Sequence, residues 1–172
     1  MLIKVVIIGD THINEFQYLP KLMLEYLQSA NWVIHVGDYV SDKVLNELIT
    51  LKRSHFLGVY GNADPKSIRE TIPAKRIEEI QGYRIGITHP PQGGSSKYTE
   101  KRVVKTFENC DLDIIVFGHT HAANIVQFKE ILLINPGKGY IEQSSFSPPT
   151  SFVVLTINKG ITTNIIKIDE LF

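Results

Sequence analysis

An apolar run, Leu2-Ile3-Lys4-Val5-Val6-Ile7-Ile8, breaks off abruptly in Gly9-Asp10-Thr11-His12. Seven residues rich in Val and Ile, without alternation, suit a strand buried on both faces, as in the middle of a parallel sheet. An Asp and a His then leave the strand's carboxyl end, where open α/β sheets bind ligands. The pattern recurs. Trp32-Val33-Ile34-His35-Val36 leads to Gly37-Asp38, and Phe56-Leu57-Gly58-Val59-Tyr60 leads to Gly61-Asn62. Tyr83-Arg84-Ile85-Gly86-Ile87 leads to Thr88-His89, and Ile114-Ile115-Val116-Phe117 to Gly118-His119-Thr120-His121. One Asp or Asn after a strand is an ordinary turn former. Five apolar runs that each end in a metal-ligand residue call for a shared site, and glycine at four of the ends suits a backbone turning sharply beside it.

Between these runs the periodicity predicts helices. Residues 16–30 carry Leu19, Leu22, Met23, Tyr26, Leu27 and Ala30 on one side, with Pro20 in the first turn. Residues 42–52 present Val44, Leu45, Leu48 and Ile49 behind Ser41, a good N-cap. Strand and helix in alternation give an α/β class with right-handed crossovers. After Asn62 the sheets become mixed: Gln81-Gly82 is a tight turn between strands over 74–80 and 83–88. A third helix is expected over 98–109, with Val103, Val104 and Phe107 on one face. Strands follow over 124–128, 131–135, 152–157 and 161–168, turning at Lys129-Glu130 and Asn158-Lys159-Gly160. Two long loops, 90–97 and 136–151, are placed to carry substrate contacts.

Composition narrows the function classes. A length of 172 residues suits one domain spanning the whole chain. Lys and Arg (18) balance Asp and Glu (18), so no broad basic surface for nucleic acid or an anionic membrane is expected. The one cysteine, Cys110, excludes an internal disulfide framework, suits a reducing compartment and is read as a small buried apolar residue. No signal peptide and no membrane-length apolar run is recognisable, so the expectation is a soluble cytoplasmic protein.

The strand ends supply two carboxylates (Asp10, Asp38), one amide oxygen (Asn62) and four imidazoles (His12, His89, His119, His121). Seven donors exceed what one tetrahedral ion takes, whereas with one bridging carboxylate they suit two ions. Ions about 3.5–4 Å apart can share a water, lower its pKa and clamp a phosphoryl group, which predicts metal-assisted phosphoester hydrolysis. His119 and His121 would point to opposite faces of a continuing strand, so they serve one site only from a turn. His35 and His55 lie in or beside apolar strands and are read as core or surface residues.

In this order, Asp10-x-His12, Gly37-Asp38, Gly61-Asn62, Thr88-His89 and Gly118-His119-x-His121 resemble the five signature blocks of the calcineurin-like metallophosphoesterase superfamily. Gly61-Asn62-Ala63-Asp64, Asn135-Pro136-Gly137 and the short length resemble its small bacterial and archaeal phosphodiesterase branch. The resemblance implies two mixed β-sheets packed as a sandwich between helices, a four-layer fold. It implies that Asp10, His12 and His121 hold one ion, that Asn62, His89 and His119 hold the other, and that Asp38 bridges them. It puts Asn62 at the catalytic step and Asn62 and His89 against the substrate. Manganese is the metal it favours, with nickel, iron, zinc or cobalt compatible with the same donors. A small phosphodiester substrate and self-association into dimers or larger assemblies are also implied.

This chain departs from the family pattern at three points. A histidine that protonates the leaving group in many relatives is replaced by Ala63, which favours diesters over monoesters with poor leaving groups. Asp64 either supplies that proton or only orients the Asn62 turn. Pro90-Pro91 follows His89 where glycine is usual, and Lys138 stands where serine is usual. Lys138 either meets a substrate phosphate as a point charge or is solvated. Two other functions fit such a chain: a binding scaffold of the retromer-subunit type, and a nuclease, which the balanced charge disfavours.

Overall fold

The computed structural model describes residues 1–90, 98–142, 144 and 146–168. Two five-stranded mixed sheets pack face to face between helices. In the first, β1 (Ile3–Ile8) pairs in parallel with β2 (Trp32–His35), and β2 with β3 (Phe56–Gly58). Two late antiparallel strands, β9 (Thr150–Ile157) and β10 (Ile161–Ile168), return to the other edge of β1, giving the order β10-β9-β1-β2-β3. The second sheet runs β4 (Lys75–Ile80), β5 (Tyr83–Thr88), β6 (Ile114–Phe117), β8 (Ile131–Asn135), β7 (Asn124–Phe128). Its β5, β6 and β8 are parallel and its outer strands antiparallel.

The unbroken apolar run of β1 has a direct cause in these layers. Val5 and Ile7 face the second sheet and join Ile34, Ile85, Ile87, Ile114 and Val116 in the inter-sheet core. Val6 and Ile8 face the opposite way, onto the buried sides of α1 (Lys21–Ser29) and α2 (Asp42–Lys52) through Met23, Leu27, Val44 and Leu48. Since both faces are covered, alternation would place polar groups in a core. The far side of the second sheet is closed by α4 (Thr99–Thr106), whose Val103 meets Ile115 and Leu133.

The structure departs from the expected boundaries where local geometry overrides periodicity. The first helix starts at Lys21, with Pro20 as its N-cap residue, after a separate 3-10 turn at Phe16–Tyr18. Leu19, preceding proline, is held extended and cannot continue a helix. The helix expected over 98–109 ends at Thr106, and Asn109 takes a left-handed backbone. β9 starts at Thr150 because Thr150 and Ser151 pair with Ile168 and Lys167, which shortens the preceding loop. A helix that periodicity does not reveal, α3 (Lys66–Thr71), has one buried residue, Ile68, too few for a pattern. The Gln81-Gly82 turn is as expected, both residues having positive φ, the mark of a type I′ hairpin. The loop at 90–97 lies, beyond Pro90, outside the described residues. No helix among the described residues is long and apolar enough to cross a membrane.

Ile7 is fully buried between the sheets. Ile7→Ala is expected to cost about 2–5 kcal/mol in urea unfolding, and a loss below about 1 kcal/mol would contradict the shared core.

Candidate metal centre

The parallel strands β1, β2, β3, β5 and β6 deliver their terminal loops to one end of the sandwich, and the donors meet there. The ligand atoms of Asp10, His12 and His121 lie within 4.8 Å of one another, as do those of Asp10, Asp38 and His89. Asp38 Oδ2 stands 3.4 Å from His12 Nε2 and 3.5 Å from His89 Nε2, so one carboxylate oxygen faces both groups. Asn62 Oδ1 lies 3.0 Å from His89 Nε2 and 2.8 Å from His119 Nδ1. All seven residues are therefore brought together. Asp10 touches both groups: it contacts His121 Nε2 at 3.4 Å and accepts the backbone N–H of His119 at 3.0 Å.

Strain accompanies this convergence. Ten non-glycine residues among those described have positive φ, and five are Asp10, His12, Asp38, His119 and His121. Each such residue costs about 1–3 kcal/mol, so the surrounding hydrogen bonds must hold it in place. The bonds are on hand: Asp10 N–H donates to Gly37 O, His12 N–H to Asp38 O, and Gly139 N–H to Asp10 O. His119 and His121 reach the same site from a turn, as their spacing requires. Gly61 admits the close approach, because a Cβ there would meet Asp38 Oδ1 at 2.1 Å.

The donor chemistry fits divalent cations. His12 Nε2 is buried and has no hydrogen-bond partner, an expensive state for an imidazole nitrogen unless a cation takes its lone pair. His89 Nδ1 donates to Val36 O at 2.7 Å, which turns the Nε2 lone pair toward Asn62 Oδ1 and Asp38 Oδ2. Such an outer hydrogen bond is how ligating histidines are usually oriented. Burial alone would raise the Asp38 carboxyl, but the neighbouring His12 and His89 imidazoles and the Ala63 N–H outweigh it and hold it at about 2. His121 is raised chiefly by its hydrogen bond to Asp10, whereas burial lowers His119.

Asp64 is 2% exposed, and both its oxygens are engaged by backbone amides. Oδ2 accepts from Gly61 at 2.7 Å and Asp38 at 2.9 Å, and Oδ1 accepts from Val40 at 2.9 Å. It thereby ties the Asn62 turn to the Asp38 turn. Lys138 is not solvated: it is 1% exposed, with Nζ bound to Glu142 Oε2 at 2.7 Å and to the Ser147 hydroxyl. Its Nζ also lies 4.9 Å from the centre of the Tyr140 ring. His35 is buried, accepts the Gly37 N–H on Nδ1 and stacks on Tyr39, while His55 is exposed beside Trp32. Cys110 is half-buried against the α4 layer.

Sequence reasoning missed two residues here. Tyr140 sets its ring edge-on to His12 at 5.6 Å and to His121 at 6.0 Å. Arg69 donates to Asp64 O and Asn62 O, bracing the Asn62 turn from α3. Neither stands at a strand end, and no spacing relates them to the ligands.

The chain belongs to the calcineurin-like phosphoesterase superfamily, whose domain model matches residues 3–160. A probable metallophosphoesterase of Methanocaldococcus jannaschii is 28% identical over 169 residues, covering 95% of this chain and 81% of the relative. A phosphodiesterase of the same organism is 28% identical over 155 residues, covering 80% and 86%. Among solved structures, vacuolar protein sorting 29 from Cryptosporidium parvum superposes with a TM-score of 0.78 over 98% of this chain and 93% of its own. At 22% identity that likeness speaks for the fold alone.

Two outcomes are expected. Asp64→Ala strands three amides and should lower the stability of chelated protein by more than about 2 kcal/mol and weaken divalent-metal binding by calorimetry, with Asp64→Asn intermediate. Asp38 titrates at about 2 against an ordinary 3.8. A depressed carboxylate stabilises the fold above its unfolded pKa, and that stabilisation is lost as pH falls through its folded value. Between about pH 4 and 2, chelated wild type should therefore lose about 2 kcal/mol more than Asp38→Asn in urea melts.

Proposed function

We propose that this chain is a phosphodiesterase with a dinuclear metal centre: Asp10, His12 and His121 hold one divalent ion, Asn62, His89 and His119 the other, and Asp38 is shared. The observation that carries this reading is the meeting of seven oxygen and nitrogen donors at one end of the sandwich, among them a buried His12 Nε2 without a hydrogen-bond partner. When bound, two such ions lower the pKa of water and offset phosphoryl charge. Manganese is the proposed metal, and nickel, iron, zinc or cobalt suit the same mixed donors. The substrate is a small phosphodiester, and the chain works in the cytoplasm as one metallophosphoesterase domain over residues 1–172.

The remaining work falls to side chains of this chain. The Val36 carbonyl fixes the His89 ring so that Nε2 faces the site. Asn62 would offer its amide oxygen to the ion and its amide NH2 to a phosphate oxygen. No imidazole follows Asn62, and Asp64 has both oxygens occupied by amides, so Asp64 is a positioning residue and neither position supplies an acid for the leaving group. Such an acid is worth about 10²–10⁴-fold, so the enzyme favours diesters with leaving groups that need no protonation. Lys138, neutralised by Glu142, serves the substrate side by anchoring the loop that sets Tyr140 against His12 and His121.

Chelator-stripped protein should hydrolyse bis-p-nitrophenyl phosphate only after a divalent ion is returned, and p-nitrophenyl phosphate more slowly. Asp38→Ala or His121→Ala should abolish turnover. Diester cleavage that survives both chelation and these substitutions would refute the assignment.

A further inference from the structure

Beside the second ligand group lies a cavity of about 290 Å³ that none of the ligand roles accounts for. Thr88, His89, Tyr60 and Asn62 line it, together with two cations, Arg69 and Lys75. The register of β4 against β5 sets Lys75 across from Thr88, the residue before His89. Arg69 arrives from α3, with Nε on Asp64 O at 2.8 Å and Nη2 on Asn62 O at 2.7 Å. Lys75 Nζ donates to Thr106 O at 3.2 Å, at the end of α4.

The acceptors of both cations are neutral carbonyls. Among the described residues neither has a carboxylate at ion-pair distance, unlike Lys43, Lys66, Arg76 and Lys138, each of which pairs with a glutamate. Two positive charges without a carboxylate partner, both lining one cavity, favour an anion there. On the phosphodiesterase reading, ions held by the ligand groups would meet the scissile phosphate, which leaves Arg69 and Lys75 for a second negative group. The volume lies at the low end of small-molecule sites and admits one group of about nucleoside size, not a polymer.

Building on the phosphodiesterase reading, we propose that this cavity is a substrate subsite: it receives one ester substituent, of nucleoside size and bearing a phosphate of its own, which Arg69 and Lys75 hold. The substrate class is then a diester with a second, non-reacting phosphate rather than a diester of two neutral groups.

The test compares binding of adenosine 3′,5′-bisphosphate with that of adenosine 5′-monophosphate to the manganese-loaded full chain by calorimetry. The bisphosphate should bind about tenfold tighter, the scale of one charge-assisted contact. Lys75→Gln should reduce that ratio below about threefold and Lys75→Arg should retain it, while Lys101→Gln, on the exposed face of α4, should not change it. Equal affinities in wild type, or a preference that persists in Lys75→Gln because the metals alone chelate two phosphates, would overturn the subsite. If the preference depends on Lys75 but bis-p-nitrophenyl phosphate is not cleaved with any metal, the subsite stands and the catalytic reading falls.

Discussion

Asp38 is the point at which this molecule is tied together. Its carboxylate faces His12 and His89, delivered by strands of different sheets, and also accepts the Ala63 N–H. Its own amide is held by Asp64, and its carbonyl accepts from the His12 backbone. Loops following β1, β2, β3 and β5 thus converge on one residue with left-handed backbone and a carboxyl held at about 2. A group kept ionised while nearly buried needs compensating polar groups around it, and the Ala63 amide and the facing imidazoles stand there.

The cost of such a centre is met by the sandwich beneath it. Left-handed backbone at five donors and an unpartnered imidazole nitrogen are unfavourable locally. They persist because β1 and its neighbours are locked on both faces, by the opposing sheet and by helices, and leave the loops little freedom to relax. Rigid layers below and strained turns above are one arrangement: burial supplies the free energy that the site consumes.

The segment between β3 and β4 adds what the ligand loops lack. It carries Asn62 and Asp64 and then, through α3, swings Arg69 back over the same turn. It ends at Lys75, opposite Thr88. A candidate metal donor, Asn62, and the exposed cations Arg69 and Lys75 thereby come from adjacent parts of one short stretch. On the other side, Lys138 is drawn out of water by Glu142 and Ser147, so a residue that looks like a free loop cation is a structural anchor.

The alternating order of apolar runs and helical stripes determined the α/β class, the Ser41-capped helix, the Gln81-Gly82 hairpin and the seven strand-end residues that meet at one end of the sandwich. Each of these is local, set by period, capping or turn chemistry within a few residues. Family resemblance supplied the two-sheet arrangement, since no single run says which sheet it joins. Tertiary structure alone decided the rest. The start of the first helix at Lys21 followed from Leu19 being extended before Pro20, and α3 formed with a single buried residue. The burial of Lys138, the amide contacts of Asp64 and the arrival of Tyr140 and Arg69 depend on partners distant in sequence or on backbone groups. Backbone amides and carbonyls carry no sequence signature, so what they hold in place becomes visible only once the loops are folded together.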